Sequence, residues 1–119
     1  MKYALLIYDD DLAWIDLPAD ERAALREAEL PRWYALFEEL GKADPNASGK
    51  ELADRREAKV VRVRHGERIV SDGPFAETKE ILGGLFLIDL PDLDEAIRVA
   101  GLIPAAEDPG AIEIRPVVR

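Results

Sequence analysis

The sequence has no cysteine and only one histidine, His65, among its 119 residues. These absences exclude a disulfide framework, a thiol nucleophile and the usual Cys and His clusters that bind zinc or non-haem iron. The G-x-G-x-x-G, P-loop and nucleophile-elbow motifs are absent as well. We therefore expect no metal centre and no cofactor, and we interpret His65 as an exposed turn residue.

Basic charge is also scarce, because 16 Lys and Arg residues stand against 25 Asp and Glu residues, for a formal net charge of −9. An acidic surface repels nucleic-acid phosphates and anionic membranes, so neither is an expected partner. No apolar run approaches the roughly eighteen residues that cross a bilayer. The opening "MKYALLIYDDD" also lacks the pattern of a signal peptide, so the expected location is the cytoplasm.

The length and composition that remain are those of one globular domain. A chain of 119 residues can bury one hydrophobic core, and we place a single domain at residues 1–119. Its residues are 48% hydrophobic and 34% charged, which is too apolar for an intrinsically disordered segment.

Two segments are apolar on both alternating faces, as central strands covered on both sides are. They are residues 2–8, "KYALLIY", and residues 84–90, "GLFLIDL". Between them, apolar residues at spacings of three and four predict a helix over residues 18–40. Pro31 predicts a kink there or a junction of two short helices, and Gly41 is the expected stop. Residues 42–57 show no period and are predicted to form a loop.

The remaining segments complete the expected order of elements. "AKVVRVR" and "RIVS" flank a tight turn at residues 65–67 and predict an antiparallel hairpin. Asp92 and Glu95 form a capping box ahead of a second helix, which we expect Pro104 to end. Residues 111–117 alternate between apolar and polar side chains and predict a final strand.

The resulting order, β-α-β-β-β-α-β, indicates an α+β fold. It matches a ferredoxin-like split βαβ sheet with an added hairpin strand and two helices on one face. The two-faced apolar strands then have no third helix to cover the far side of the sheet. Because large exposed apolar patches are rare on monomers, we expect a second copy to cover this face, giving a homodimer and a dimeric α+β barrel.

The stretch "SDGPFAETKE" before the second apolar strand concentrates backbone-restricting and proton-handling residues. In one interpretation it is a turn, in which Asp72 bonds to its own loop and Phe75 plugs the core. In the other, the same rigid corner borders a cavity near the dimer axis. Asp72 is then a base, and Lys79 pairs with a carboxylate or phosphate group. The candidate ligand-binding residues of this corner are Gly73, Pro74, Phe75, Glu77 and Thr78.

Tyr8 and the aspartates that follow it end the first strand. Tyr8 faces either the helices or the dimer cavity, and in the cavity a Tyr8–Asp72 pair would suit proton transfer to an enol or a phenol-like substrate. The run Asp9–Asp11 lacks the interleaved spacing of a calcium loop. We interpret it as a solvated acidic loop.

Three segments resemble the DGPF family, also called YCII-related proteins: "DGPFAETKE", "GGLFLIDLPDLDEA" and "IEIRPV". The resemblance runs over nearly the full chain and implies a ferredoxin-like α+β fold and a dimer. Some members occur beside or fused to extracytoplasmic-function sigma factors, which makes a sigma factor a partner by resemblance only. The YciI branch carries a His–Asp pair, which the position of His65 does not reproduce. Lyases and monooxygenases of the wider superfamily are related by fold alone.

Three functions are therefore open at the level of sequence. The first is a cofactor-independent acid–base enzyme on a small organic molecule, with Asp72 or Tyr8 acting together with Lys79. The second is a regulatory or interaction module that senses a small molecule or binds a sigma factor. In the third, the DGPF corner only shapes the dimer. A ligand-sized cavity containing Asp72 and Tyr8 would favour the first two.

Overall fold

The computed structural model describes residues 1–76, 78–107 and 109–118. In this part of the chain the strands and helices are β1 (Lys2–Asp9), α1 (Ala19–Ala43), β2 (Ser48–Glu51), β3 (Lys59–Arg64), β4 (Glu67–Asp72), β5 (Ile81–Asp89), α2 (Leu93–Ala100) and β6 (Ala111–Pro116). Short 3-10 turns lie at Asp11–Ala13, Arg55–Glu57 and Pro104–Ala106. Neither helix is long and apolar enough to cross a membrane.

Four strands form one antiparallel sheet in the order β2-β5-β1-β6. Strand β5 runs antiparallel to both β1 and β2, so β1 and β2 are parallel to each other with β5 between them. This arrangement is a split βαβ unit, and it is compatible with the predicted ferredoxin-like α+β fold. The predicted central strands are confirmed as β1 and β5.

One face of this sheet forms the core. Tyr3 pairs with Ile88 and Leu5 with Phe86, and all four side chains are buried. Both helices pack on this same face, so the prediction that they share one face of the sheet is confirmed. They contribute Leu36, Leu40, Ala96 and Val99 to the core. Full burial of one such large aliphatic side chain stabilises the fold by about 1.5–3 kcal/mol relative to exposure.

The region between α1 and the hairpin, and the hairpin itself, differ from what the sequence predicts. Residues 42–57 were expected to be a loop, but they contain the edge strand β2. A Cβ on Gly49 would lie 2.4 Å from the ring of Phe86, so glycine lets β2 approach β5. The predicted hairpin exists, but β3 and β4 form a separate two-stranded sheet and do not add a strand to the main one.

The helices also differ from their predicted limits. Helix α1 continues through Pro31 and past Gly41. Pro31 and Glu27 are both exposed, so water can satisfy the carbonyl that loses its N–H donor at this point. Asp92 is confirmed as the N-cap of α2, because its carboxylate accepts from the backbone N–H of Glu95 at 2.9 Å. The Glu95 carboxylate, which would make the second bond of a capping box, pairs with Arg98 instead. Helix α2 ends at Ala100, before the expected stop at Pro104.

The second face of the main sheet carries no helix in the described part of the chain. We call it the open face. Its apolar side chains are only half-buried: Ala4, Leu6, Leu82, Leu85 and Leu87. The charged residues Glu113 and Arg115 of β6 lie beside this apolar centre, opposite Leu6 and Ala4. The open face is therefore an apolar strip with a charged border.

Candidate functional site

The DGPF corner begins where β4 ends. The Asp72 carboxylate forms an ion pair with Lys59 of the neighbouring strand β3, and both side chains are exposed. A hydrogen bond from the Lys59 ammonium holds the pKa of Asp72 below its usual range. The backbone N–H of Gly73 donates to the carbonyl of Ala58 at 2.8 Å, and the Gly73–Pro74 peptide bond is cis. The corner thus closes the base of the hairpin.

Two details of the corner differ from the sequence prediction. Phe75 was expected to be buried, but it is 77% exposed and its ring lies 5.3 Å from the Arg62 guanidinium carbon. The prediction failed because the corner belongs to the separate hairpin, which lies apart from the core. Asp72 was expected to bond to its own loop, and it binds across the hairpin to Lys59 instead.

The second half of the corner leads into β5. The hydroxyl of Thr78 donates to the carbonyl of Glu80, and both Thr78 and Lys79 have exposed side chains. Glu77, also a candidate ligand-binding residue, lies outside the described residues. The carbonyls of Thr78 and Lys79 accept hydrogen bonds from the Arg55 guanidinium at 3.1 and 2.9 Å. Arg55 therefore holds the polypeptide backbone just before the central strand.

Arg55 is in turn held by two buried aspartates. Its backbone N–H donates to Oδ2 of Asp11 at 2.7 Å, and its Nε donates to Oδ1 of the same carboxylate. Asp10 lies 3.7 Å from the guanidinium. The exposed fractions of Asp10 and Asp11 are 9% and 4%. We call Asp10, Asp11 and Arg55 the latch.

The latch corrects the interpretation of Asp9–Asp11 as a solvated acidic loop. Asp10 caps the following 3-10 turn by accepting from the Leu12 N–H, and Asp11 pairs with Arg55, 44 residues away. A partner so distant leaves no local signal in the sequence, and we did not single out Arg55. The cation in the cluster is this guanidinium, and the described residues hold no group of three or more His, Cys, Asp or Glu arranged for a metal ion.

Tyr8 lies on the open face near the end of β1. Its hydroxyl is 3.3 Å from Oε1 of Glu113 on the neighbouring strand β6. Partial burial and the negative charge of Glu113 raise the pKa of Tyr8, and the charge of Arg115 opposes this shift. Tyr8 was predicted as a site residue, whereas Glu113 was not, because Glu113 alternates with Ile112 and Ile114 as an outward-facing strand residue would.

The open face also contains a shallow cleft of about 620 Å³. Its lining is mostly apolar, with one guanidinium. The lining residues are Ala4, Leu6, Arg115, Pro116, Val117 and Val118. Tyr8 follows Leu6 on the same face of β1, so the phenol and the cleft share one surface.

The predicted catalytic residues therefore lie on different elements. Tyr8 is on the main sheet, Asp72 ends the separate hairpin, and Lys79 precedes β5. No hydrogen bond or ion pair within residues 1–76, 78–107 and 109–118 joins any two of them. Lys79 precedes Leu82, the pairing partner of Tyr8 in β5, by three residues.

Comparison with known proteins agrees with the sequence resemblance. The family model for the YCII-related domain matches residues 1–119. An uncharacterised protein of Rhizobium meliloti (strain 1021) is 41% identical over 121 residues, which cover 98% of this chain and 92% of the relative. The name of this relative states no activity. The family match and the identity together show that this chain belongs to the YCII-related family.

Proposed function

We propose that the protein binds a small organic molecule on the open face of its sheet and that a second copy covers this face. The supporting observation is the Tyr8–Glu113 pair, in which a proton donor and an acceptor lie at the border of a mostly apolar surface. Such a combination of apolar lining and few polar groups is typical of small-molecule sites. The proposed homodimer would turn this open surface into an enclosed one.

The size of the molecular surface supports a homodimer. The chain exposes 8426 Å², whereas a folded monomer of its mass exposes about 6,400 Å². Its radius of gyration is 16.2 Å, against roughly 13.5 Å for a compact domain of this length. Stable homodimers bury about 2,000–5,000 Å² in total. The excess surface of each chain is sufficient for an interface of that kind.

The chemistry that fits this pair is cofactor-independent acid–base catalysis. The Glu113 carboxylate can accept a proton from a carbon next to a carbonyl group, and the electron pair then moves onto the carbonyl oxygen. The Tyr8 hydroxyl, whose single proton is donated to Glu113 in this structure, can rotate to donate a hydrogen bond to that developing oxyanion once Glu113 is protonated. A tyrosine phenol is protonated at neutral pH, and the raised pKa of Tyr8 favours the same form. Return of the proton completes an isomerisation or an exchange reaction.

The border of the open face favours an anionic substrate. Arg115 lines the cleft, and a guanidinium binds a carboxylate through two parallel hydrogen bonds. Lys79 is exposed on the loop that enters β5 near Tyr8, where its ammonium is available to an anionic group. Asp72 is already paired with Lys59, so in this proposal it contributes to the corner and Glu113 is the base. The proposed substrate is a small carboxylic acid with an enolisable carbonyl and an apolar body.

Deuterium exchange tests this proposal. With phenylpyruvate as the probe in D₂O, NMR spectroscopy measures how fast the protons next to the carbonyl exchange. We expect the wild-type protein to accelerate exchange, and Tyr8→Phe and Glu113→Gln to lower this rate by about 100-fold, which is typical for loss of a general acid or base. Tyr34→Phe is the matched control, because Tyr34 is an exposed tyrosine on α1. Equal rates in all four proteins would contradict the acid–base role.

A further inference from the structure

The hairpin formed by β3 and β4 stands apart from the rest of the fold. It forms its own two-stranded sheet, and all of its strand residues except Val60 are exposed. An isolated two-stranded ribbon is at best marginally stable in water. A hairpin with so little support from its own chain is expected to gain stability from another surface.

The two faces of the hairpin differ in how well they are covered. Directly opposite residues of a ribbon share a face, so Val61, Val63 and Val70 lie together on one side, with Arg68 opposite Val63. We call this side the valine face. Its three valines are 57%, 68% and 58% exposed. The other side includes Val60, which is half-buried, and Arg62, which is exposed but stacks on Phe75. The valine face is therefore the less protected one.

The charge of the hairpin is opposite to that of the chain. Four basic residues lie within its strands, namely Lys59, Arg62, Arg64 and Arg68. Only Glu67 and Asp72 oppose them, so the hairpin carries +2 and the rest of the chain −11, given the total of −9. No ion pair in the described part of the chain engages Arg62, Arg64 or Arg68. The body of another copy is thus electrostatically complementary to the hairpin.

We propose that the valine face of the hairpin docks on a second copy of this chain, so that each protomer of the dimer extends an arm over its partner. The inference rests on the homodimer of the proposed function and adds the arm to its interface. The exposed surface of the chain exceeds that of a typical folded monomer by about 2,000 Å². An interface that buries this excess can include both the open face and the arm. Docking would also hold Gly73 and Phe75, which follow the arm, at the boundary between the copies.

Sedimentation equilibrium of three proteins tests the arm. We expect Val63→Glu to raise the dimer dissociation constant at least about tenfold, as loss of a well-buried interface contact does. Leu6→Glu probes the open face separately. If Leu6→Glu dissociates the dimer while Val63→Glu leaves its dissociation constant unchanged, the arm is wrong and the open-face dimer stands. If the reverse holds, the arm stands and the open face is not the interface. If the wild-type protein is monomeric, both the arm contact and the open-face dimer are wrong.

Cysteine labelling gives a second measurement that does not depend on a disruptive charge. Because the sequence has no cysteine, Val63→Cys introduces a single thiol on the valine face. We expect its reaction with a maleimide to slow at least about fivefold when the protein is concentrated from monomer to dimer, since a docked thiol is shielded. Glu67→Cys, beside the hairpin turn and on the other face, is the matched control and should react at a constant rate. Equal concentration dependence at both positions would overturn the proposal.

Discussion

At the scale of single residues, Arg55 has the most extensive structural role. Its guanidinium binds the carboxylate of Asp11 after β1 and the carbonyls of Thr78 and Lys79 before β5. It thereby connects the ends of both central strands. Its two bonds to these carbonyls attach the loop that carries Lys79 to the end of β1.

Replacement of Arg55 by lysine should therefore be costly although the charge is kept. A single ammonium cannot reproduce the planar fork that serves a carboxylate and two carbonyls at once. We expect Arg55→Lys to lower the free energy of unfolding by about 1–3 kcal/mol, because the buried carboxylate of Asp11 loses its Nε donor. Amides of residues 78–80 should also exchange faster with solvent. Urea denaturation and hydrogen exchange measure the two effects.

Arg64→Lys provides the control, since Arg64 is exposed on the hairpin. A surface change of this kind alters stability by no more than about 0.5 kcal/mol. If Arg55→Lys were as stable as Arg64→Lys, with no faster exchange at residues 78–80, the latch would not hold this loop.

Some residues of the candidate site could be predicted from the sequence, and others could not. Tyr8 was identifiable because it closes the apolar run of residues 2–8 and carries a phenol at the end of that run. Asp10 and Asp11 were not, because a run of acidic residues has the same pattern whether water or a distant arginine satisfies it. Glu113 was hidden by ordinary alternation in β6. Its pairing with Tyr8 appears only when the strand register is known.

At the scale of elements, the DGPF corner joins the hairpin to the sheet. Gly73 does not adopt a left-handed backbone, so no positive φ requires a glycine at this position. Its constraint is steric. A Cβ at this position would lie 2.7 Å from the Cβ of Ala58 and 3.1 Å from its carbonyl carbon. The glycine lets the two chain segments at the base of the hairpin approach each other.

Gly73→Ala should therefore destabilise the protein for a packing reason. We expect a loss of about 1–3 kcal/mol in the free energy of unfolding, which is usual when a group is forced into a filled space. Gly41→Ala is the matched control, because a Cβ on Gly41 meets nothing within 4 Å and the residue lies inside α1. That substitution should stabilise the protein by about 0.5–1 kcal/mol. Thermal denaturation that ranked the two variants in the opposite order would contradict this account.

The elements that the sequence predicted well are those with strong apolar periodicity. Strands β1 and β5 and helix α2 follow directly from their patterns. Strand β2 has none, since its sequence "SGKE" contains no large apolar residue. It is a strand because β5 offers an unpaired edge and because Gly49 leaves room for Phe86. Tertiary pairing of this kind cannot be inferred from a four-residue polar segment.

At the scale of the whole molecule, three features indicate that part of the surface is covered by another protein chain. The open face is apolar, the hairpin is exposed on its valine face, and the total exposed area exceeds that of a typical monomer of this mass. A second copy would cover all of these surfaces and would bring two Tyr8–Glu113 pairs into one enclosed region. The homodimer was predicted from the two-faced apolarity of the central strands, and it stays a prediction.

Light scattering of the purified wild-type protein across micromolar concentrations tests this central claim most directly. The chain has a mass of 13.2 kDa. The account predicts a species of twice that mass, because a monomer would leave the open face and the hairpin in water. A constant mass near 13.2 kDa throughout this range would contradict both the dimer and the enclosed site that depends on it.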